Sequence, residues 1–238
     1  GQGWTPNAAV DLGLPDQNTG APLLAAGPKG LVVVSSDGPY LASSQDGVLW
    51  HSATLGVAHL QIAGIVGTAT GYTAVGTLTL GSESTRAAAF QSVDGLRWTG
   101  PGTTLADESG LEVTGLQSAR NGLIATGLVN AAPGAALWWQ SSNGRIWHSM
   151  PTFGPLGATN CHGEGCGNYP NGLLASDGTR LIATRGGQVV WTSFDGDTWR
   201  QLATTGDRPA SDVAQAVVMP GGVLISSPIT SWYGQALP

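Results

Sequence analysis

The chain has 238 residues, a formal charge of −6, and only 10% charged residues, with a single lysine at Lys29. That balance excludes a nucleic-acid binder, which needs a basic patch to meet phosphate. No apolar run approaches the roughly 20 residues that span a bilayer. The 37 glycines and the lack of any long amphipathic helical period favour many short strands joined by tight turns.

In chain order, Gly1-Gln2-Gly3-Trp4 is followed by a polar loop over 11–20 with Asp11 and Asp16, then by predicted strands at 21–26, 31–35 and 39–42. The phrase Ser44-Gln45-Asp46-Gly47-Val48-Leu49-Trp50 comes next. Predicted strands at 59–67 and 72–80, a loop at 81–86 with Glu83 and Arg86, and a strand at 87–90 lead to Ser92-Val93-Asp94-Gly95-Leu96-Arg97-Trp98. A loop at 102–110 carries Asp107 and Glu108. Strands at 111–117, 122–128 and 135–140 then precede Ser141-Ser142-Asn143-Gly144-Arg145-Ile146-Trp147. The longest connection, 150–171, holds Cys161, His162, Glu164, Cys166 and Tyr169. Strands at 172–176, 181–185 and 188–192 lead to Ser193-Phe194-Asp195-Gly196-Asp197-Thr198-Trp199. A loop at 204–210 with Asp207 and Arg208, then strands at 212–219, 221–227 and 229–233, end the chain.

Four copies of Ser-x-Asp/Asn-Gly-x-x-Trp organise this order, with Trp-to-Trp spacings of 48, 49 and 52 residues. Asp-Gly and Asn-Gly predict type I′ hairpin turns, in which both central residues take positive φ. The serine can bond local backbone, and the Asp or Asn can close an Asx turn on the following amides. The tryptophan suits packing between neighbouring units. A period of about 40–50 residues with four short strands per unit indicates a β-propeller. Trp4 lies one period, 46 residues, before Trp50, and the last unit ends short of its final strand. The expected fold is therefore all-β, a five-bladed propeller in one domain. Its blades span 7–52, 53–100, 101–149, 150–201 and 202–238 plus 1–6. An N-terminal outer strand pairs with the last blade and leaves no open sheet edge. A chain that opens in mid-phrase is expected to be processed or trimmed.

The phrase resembles the Asp-box of sialidase-like propellers, one residue shorter between Asp and Gly. The resemblance implies a structural role for Ser44, Asp46, Gly47, Trp50 and their counterparts Ser92, Asp94, Gly95, Trp98, Ser141, Asn143, Gly144, Trp147, Ser193, Asp195, Gly196 and Trp199, on outer hairpins away from the ligand face. Sialidase chemistry itself needs an arginine triad and a Tyr nucleophile. Only Arg86, Arg185 and Arg208 fall near the expected ligand face, and no Arg-Ile-Pro motif accompanies them, so the residues argue against a sialidase.

Two close cysteines, Cys161 and Cys166, favour a disulfide and hence an exported protein. The alternative, a metal site using both thiolates and His162, fits structural zinc spacing poorly. No cofactor is expected, with calcium the one ion left open. The loops that differ from unit to unit share one face with the mouth of the central channel. They supply the candidate binding residues His59, His162, Glu164, Tyr169, Asp207 and Arg208. The expected function is a non-catalytic binding or scaffold propeller that is secreted or extracytoplasmic, with envelope attachment through a segment outside this chain left open. It would be monomeric and meet a protein or glycan at a cell surface. The alternatives are a lectin, or a glycoside hydrolase drawing two carboxylates about 5–10 Å apart from Asp107, Glu108, Glu164 and Asp207.

Overall fold

A computed structural model of the chain describes residues 22–35, 38–81, 84–105, 109–129, 136–150, 173–185, 189–202, 215–219, 222–226 and 231–235. Among the described residues there is no helix, and every strand pairing is antiparallel. The first sheet is β1 (Leu23–Gly27), β2 (Gly30–Val34), β3 (Tyr40–Ser44) and β4 (His51–Thr54). The second is β5 (Leu60–Thr68), β6 (Gly71–Leu80), β7 (Ser84–Ser92) and β8 (Trp98–Thr104). The third is β9 (Leu111–Ala119), β10 (Gly122–Val129), β11 (Ala136–Ser141) and β12 (His148–Ser149). The fourth is β13 (Leu173–Ser176), β14 (Leu181–Arg185), β15 (Val189–Ser193) and β16 (Arg200–Gln201), and the fifth is β17 (Gln215–Met219), β18 (Gly222–Ser226) and β19 (Ser231–Gln235). Within each sheet the strands are neighbours in sequence order, four in each of the first four sheets and three in the fifth among the described residues.

The sheets stack in chain order. First strands meet first strands, β1 with β5, β5 with β9, β9 with β13 and β13 with β17. Among the described residues four apolar clusters stand in place of a single core, one between each pair of sheets consecutive in the chain. Val32, Val34 and Leu41 of the first sheet meet Ile62, Tyr72, Ala74 and Phe90 of the second. Val75, Ala87 and Ala89 meet Leu111, Leu116, Leu123 and Trp147. Ile124 and Trp138 meet Leu181 and Trp199, and Ala175, Ile182 and Val190 meet Val218 and Val223. A middle strand so placed is covered on both faces. That is why β6 and β10 are buried over most of their length rather than at alternate residues. Burial of this apolar area is the main stabilising term.

Close approach selects small residues in the junctions. A Cβ on Gly64 of β5 would lie 2.5 Å from the Leu116 Cβ of β9. Polar groups are matched across them as well. The buried Thr77 Oγ1 accepts the Val113 amide at 2.9 Å, and the Tyr72 hydroxyl donates to the Gly30 carbonyl at 2.9 Å. Burial raises the Tyr72 phenol above its ordinary value, against a smaller opposing effect of its backbone hydrogen bond.

The repeated phrase does not form a two-residue type I′ turn. Strand β3 ends at Ser44 and β4 begins at His51, with a bend across 45–49, and only the glycine of each phrase has positive φ: 77° at Gly47 and Gly95, 73° at Gly144 and 84° at Gly196. The physical reason lies in the aspartate, whose side chain takes the amides that a tight hairpin would have paired across the strands.

The glycines of the last three phrases also lie against the preceding sheet. A Cβ on Gly95 would meet Ser43 and Val32 at 2.7 Å, one on Gly144 would meet Thr73 and Gln91, and one on Gly196 would meet Ile124. Gly81 also has positive φ, 71°, but has open space around it. Gly81→Ala should therefore cost only the left-handed backbone, about 1–2 kcal/mol. Gly95→Ala should cost about 2–4 kcal/mol, because overpacking of the junction is added. Urea denaturation of both variants measures the difference, and equal losses would show that the turn does not press on its neighbour.

Candidate functional site

Antiparallel order puts the first and third connections of every sheet on one face and the second connection, with the link to the next sheet, on the other. The first face carries the four repeated turns, and their chemistry is the same each time. The serine hydroxyl accepts the glycine amide at 2.8–2.9 Å. The same hydroxyl donates to the Asp or Asn Oδ1 at 3.0–3.3 Å. That oxygen accepts the amides two and three residues on, Val48 and Leu49, Leu96 and Arg97, Arg145 and Ile146, Asp197 and Thr198, at 2.7–3.0 Å. The tryptophan Nε1 donates to the glycine carbonyl at 2.7–3.1 Å. A related turn that its Asp177-Gly178 pair signalled, though outside the repeated phrase, joins β13 to β14, where Asp177 Oδ1 accepts Thr179 and Arg180 amides at 2.9 and 2.7 Å.

These bonds stabilise the ionised carboxylates. Asp46 is held below its ordinary value of 3.8 chiefly by the Leu49 amide and then that of Val48. Asp94 is held down by the Arg97 amide and then that of Leu96, and Asp195 first by the Thr198 amide. Asn143 makes the same turn without the charge. The carboxylates thus close turns rather than offer acid–base groups.

This face also holds a cleft of about 440 Å³ between the second and third sheets. Its polar wall is built by Gln91 of β7, whose amide nitrogen donates to the Asn143 carbonyl at 3.0 Å while Arg145 Nε donates to its Oε1 at 2.8 Å. Arg97, Val93, Thr70 and Thr99 also line it. The sequence places Arg97 and Arg145 within the repeated phrase, and neither they nor Gln91 are among the candidate binding residues. The signal that could have found them is the substitution of Asn for Asp in that one copy of the phrase.

The opposite face has a hollow of about 520 Å³ between the first and second sheets, framed by Gly38, Pro39, Tyr40, Thr54, His59 and Leu60. His59, expected to open an inner strand, stands one residue before β5, exposed, with φ 56°. It is the one non-glycine residue with positive φ among the described residues. Its carbonyl accepts the Thr79 amide at 3.0 Å, which holds this backbone in place. Tyr40, at the start of β3, is 46% exposed. Of the other sequence-predicted candidates, Asp107, Glu108, Cys161, His162, Glu164, Cys166, Tyr169, Asp207 and Arg208 lie outside the described residues.

No protein-family model matches the chain, and no curated protein matches it. Solved structures do. Virginiamycin B lyase from Staphylococcus aureus is similar with a TM-score of 0.55 at 10% identity, covering 90% of this chain and 65% of that one. A streptogramin B lyase is similar with a TM-score of 0.51 at 10% identity, covering 90% and 64%. The chain thus spans about two thirds of the length of either. Both are β-propellers, and at this identity they show the fold alone: this chain has an all-β, propeller-like fold of antiparallel sheets. Among the described residues, no helix is long and apolar enough to cross a membrane.

The depressed carboxyls give a signed pH dependence. Their stabilisation is present above the unfolded value near 3.8 and is lost as pH falls through the lower folded value. Melting temperature should therefore fall between about pH 5 and pH 3, and a triple Asp46→Asn, Asp94→Asn, Asp195→Asn variant should fall less. Asp94→Ala, which removes the acceptor altogether, should cost about 0.5–2 kcal/mol. An unchanged acid limb in the triple variant would overturn the structural role of these turns.

Proposed function

We propose that the protein is a non-catalytic binding or scaffold propeller, acting through the face opposite the repeated turns. The observation that carries this reading is the hollow where an exposed Tyr40 and a left-handed His59 converge. A left-handed non-glycine residue costs stability and needs a reason. The Thr79 amide bond to the His59 carbonyl fixes this backbone, and it leaves the side chain exposed beside Tyr40, where one ligand could meet both. A hollow of about 520 Å³ falls in the range of small-ligand sites, about 300–1,000 Å³. An exposed tyrosine offers an apolar ring with a polar tip to a protein or a glycan.

The five sheets support a ring of five blades in one domain, and in this reading residues 1–6 add the fourth strand beside β19. The repeated bonding network supports the Asp-box resemblance. Cys161 and Cys166 pair, and the protein works outside the cytoplasm, alone, against a protein or glycan at a cell surface. His162, Glu164, Tyr169, Asp207 and Arg208 extend the binding face, and no cofactor is required. The likeness to two lyases supports the fold and transfers no activity.

The test is a glycan panel and a pull-down from envelope extracts, each with and without calcium, with turnover followed in parallel. His59→Gly should leave stability within about 1 kcal/mol of the parent, since glycine accepts this backbone without strain. It should weaken binding of any retained ligand, as should Tyr40→Ala. Cleavage of a panel member would replace this reading with a hydrolase using Asp107, Glu108, Glu164 or Asp207. Retained binding in both variants would remove the hollow from the site.

A further inference from the structure

The dipeptide Asn-Gly occurs at Asn121-Gly122, Asn143-Gly144 and Asn171-Gly172. The third lies outside the described residues. The first two stand at the same end of the third sheet, where β9 turns into β10 and where β11 turns into β12. We infer that Asn121 is a site of spontaneous deamidation, and that Asn143, with the same neighbour, is kept from it by the bonds of its turn.

The reaction needs no co-reactant beyond water. The glycine backbone nitrogen attacks the asparagine Cγ and loses its proton. The new N–Cγ bond closes a five-membered succinimide, and the side-chain nitrogen leaves as ammonia. Water then opens the ring at either carbonyl and gives aspartate or isoaspartate, with one carboxylate gained. Glycine favours the closure because it has no Cβ to obstruct the attack and its backbone turns freely. The side-chain amide must also leave whatever it is bonded to and swing its carbon onto the glycine nitrogen.

The two sites differ in that last requirement. Asn143 Oδ1 accepts the Arg145 amide at 2.7 Å and the Ile146 amide at 3.0 Å, and the Ser141 hydroxyl donates to it at 3.3 Å. The nucleophile is engaged as well. The Gly144 amide donates to Ser141 Oγ at 2.8 Å, and both residues are buried. The peptide between Asn143 and Gly144 is gripped from the second sheet, where Gln91 Nε2 donates to the Asn143 carbonyl at 3.0 Å. A Cβ on Gly144 would lie 2.6 Å from Thr73 Oγ1 of the same sheet. Closure at Asn143 therefore breaks several bonds and disturbs a junction.

Asn121 meets no such restraint. It sits exposed in the two-residue connection between β9 and β10, and its side chain makes no hydrogen bond among the described residues. Gly122 opens β10 opposite Ala119, with φ 132°. Opening there costs one end of a hairpin rather than a packed junction. Each hydrogen bond that must break slows closure by about two- to tenfold. The product at Asn121 places a carboxylate next to Arg120 on the repeated-turn face, and its isoaspartate form lengthens the hairpin main chain by one carbon.

The experiment holds the whole chain folded in mildly alkaline buffer and follows each site over time by peptide mass mapping. The exchange of amide for acid is read from the mass, and isoaspartate from fragmentation. Asn121 should be modified at least about tenfold faster than Asn143. In concentrated urea, where the turns are lost, the two rates should converge. Ser141→Ala removes the hydroxyl that holds both the Gly144 amide and Asn143 Oδ1, so it should speed Asn143 by about threefold or more and leave Asn121 unchanged. Circular dichroism checks that this variant is folded, and if it is not, the parent in buffer and in urea decides. Equal rates in the folded parent, or a difference that persists in urea, would overturn the inference. So would a folded Ser141→Ala chain in which Asn143 stays as slow as in the parent.

Discussion

The rest of the structure depends on the contact between the repeated turns of the second, third and fourth sheets and the sheet before each. The phrase glycine lies against the third strand of the preceding sheet or the strand beside it, at Ser43, Gln91 and Ile124 in successive junctions. The phrase tryptophan fills the same junction. Trp98 packs on the first cluster, Trp147 belongs to the second, and Trp199 meets Trp138 edge to face at 5.4 Å in the third. Each sheet therefore buries its apolar surface against its neighbours in sequence, and cohesion accumulates junction by junction. A turn made rigid by its own side-chain bonds is what allows a tryptophan and a glycine to be placed with that regularity.

This arrangement separates what is constrained from what is free. Serine, Asp or Asn, glycine and tryptophan are occupied by the turn and by the junction. The two residues between glycine and tryptophan give their amides to the Asp or Asn oxygen, and of their side chains those of Val48, Leu49, Leu96 and Ile146 are exposed. Charge can be rearranged there without loss of turn bonds, which is how Arg97 and Arg145 stand in otherwise equivalent turns. The opposite face has no such template. Its connections differ in length and chemistry, and there a histidine holds a left-handed backbone beside an exposed tyrosine.

Several features were open to reading from the residues alone. The period of the phrase, its strand-forming flanks and the glycine content point to repeated antiparallel sheets, and the sheets are found where the phrase predicts them. The turn type was misread because Asp-Gly is the signal of two different geometries. Local sequence cannot say whether the aspartate adopts positive φ or keeps an ordinary backbone and bonds amides with its side chain. His59 was placed on a strand because its neighbours are β-prone, while the bond from the Thr79 amide, twenty residues away, holds it outside. Arg97 and Arg145 lie 48 residues apart in the chain and line one cleft only because the second and third sheets pack side by side.

By itself, then, the sequence determined the repeat, the strand order and the self-contained chemistry of each turn, because those rest on interactions within a few residues. Only the tertiary structure decided which side chains meet across a junction. The Gln91–Arg145 bond, the Thr77–Val113 bond and the hollow between the first and second sheets join residues far apart in the chain. Their meeting depends on the spacing and register of packed sheets, which are set by the summed fit of buried side chains rather than by any one short stretch.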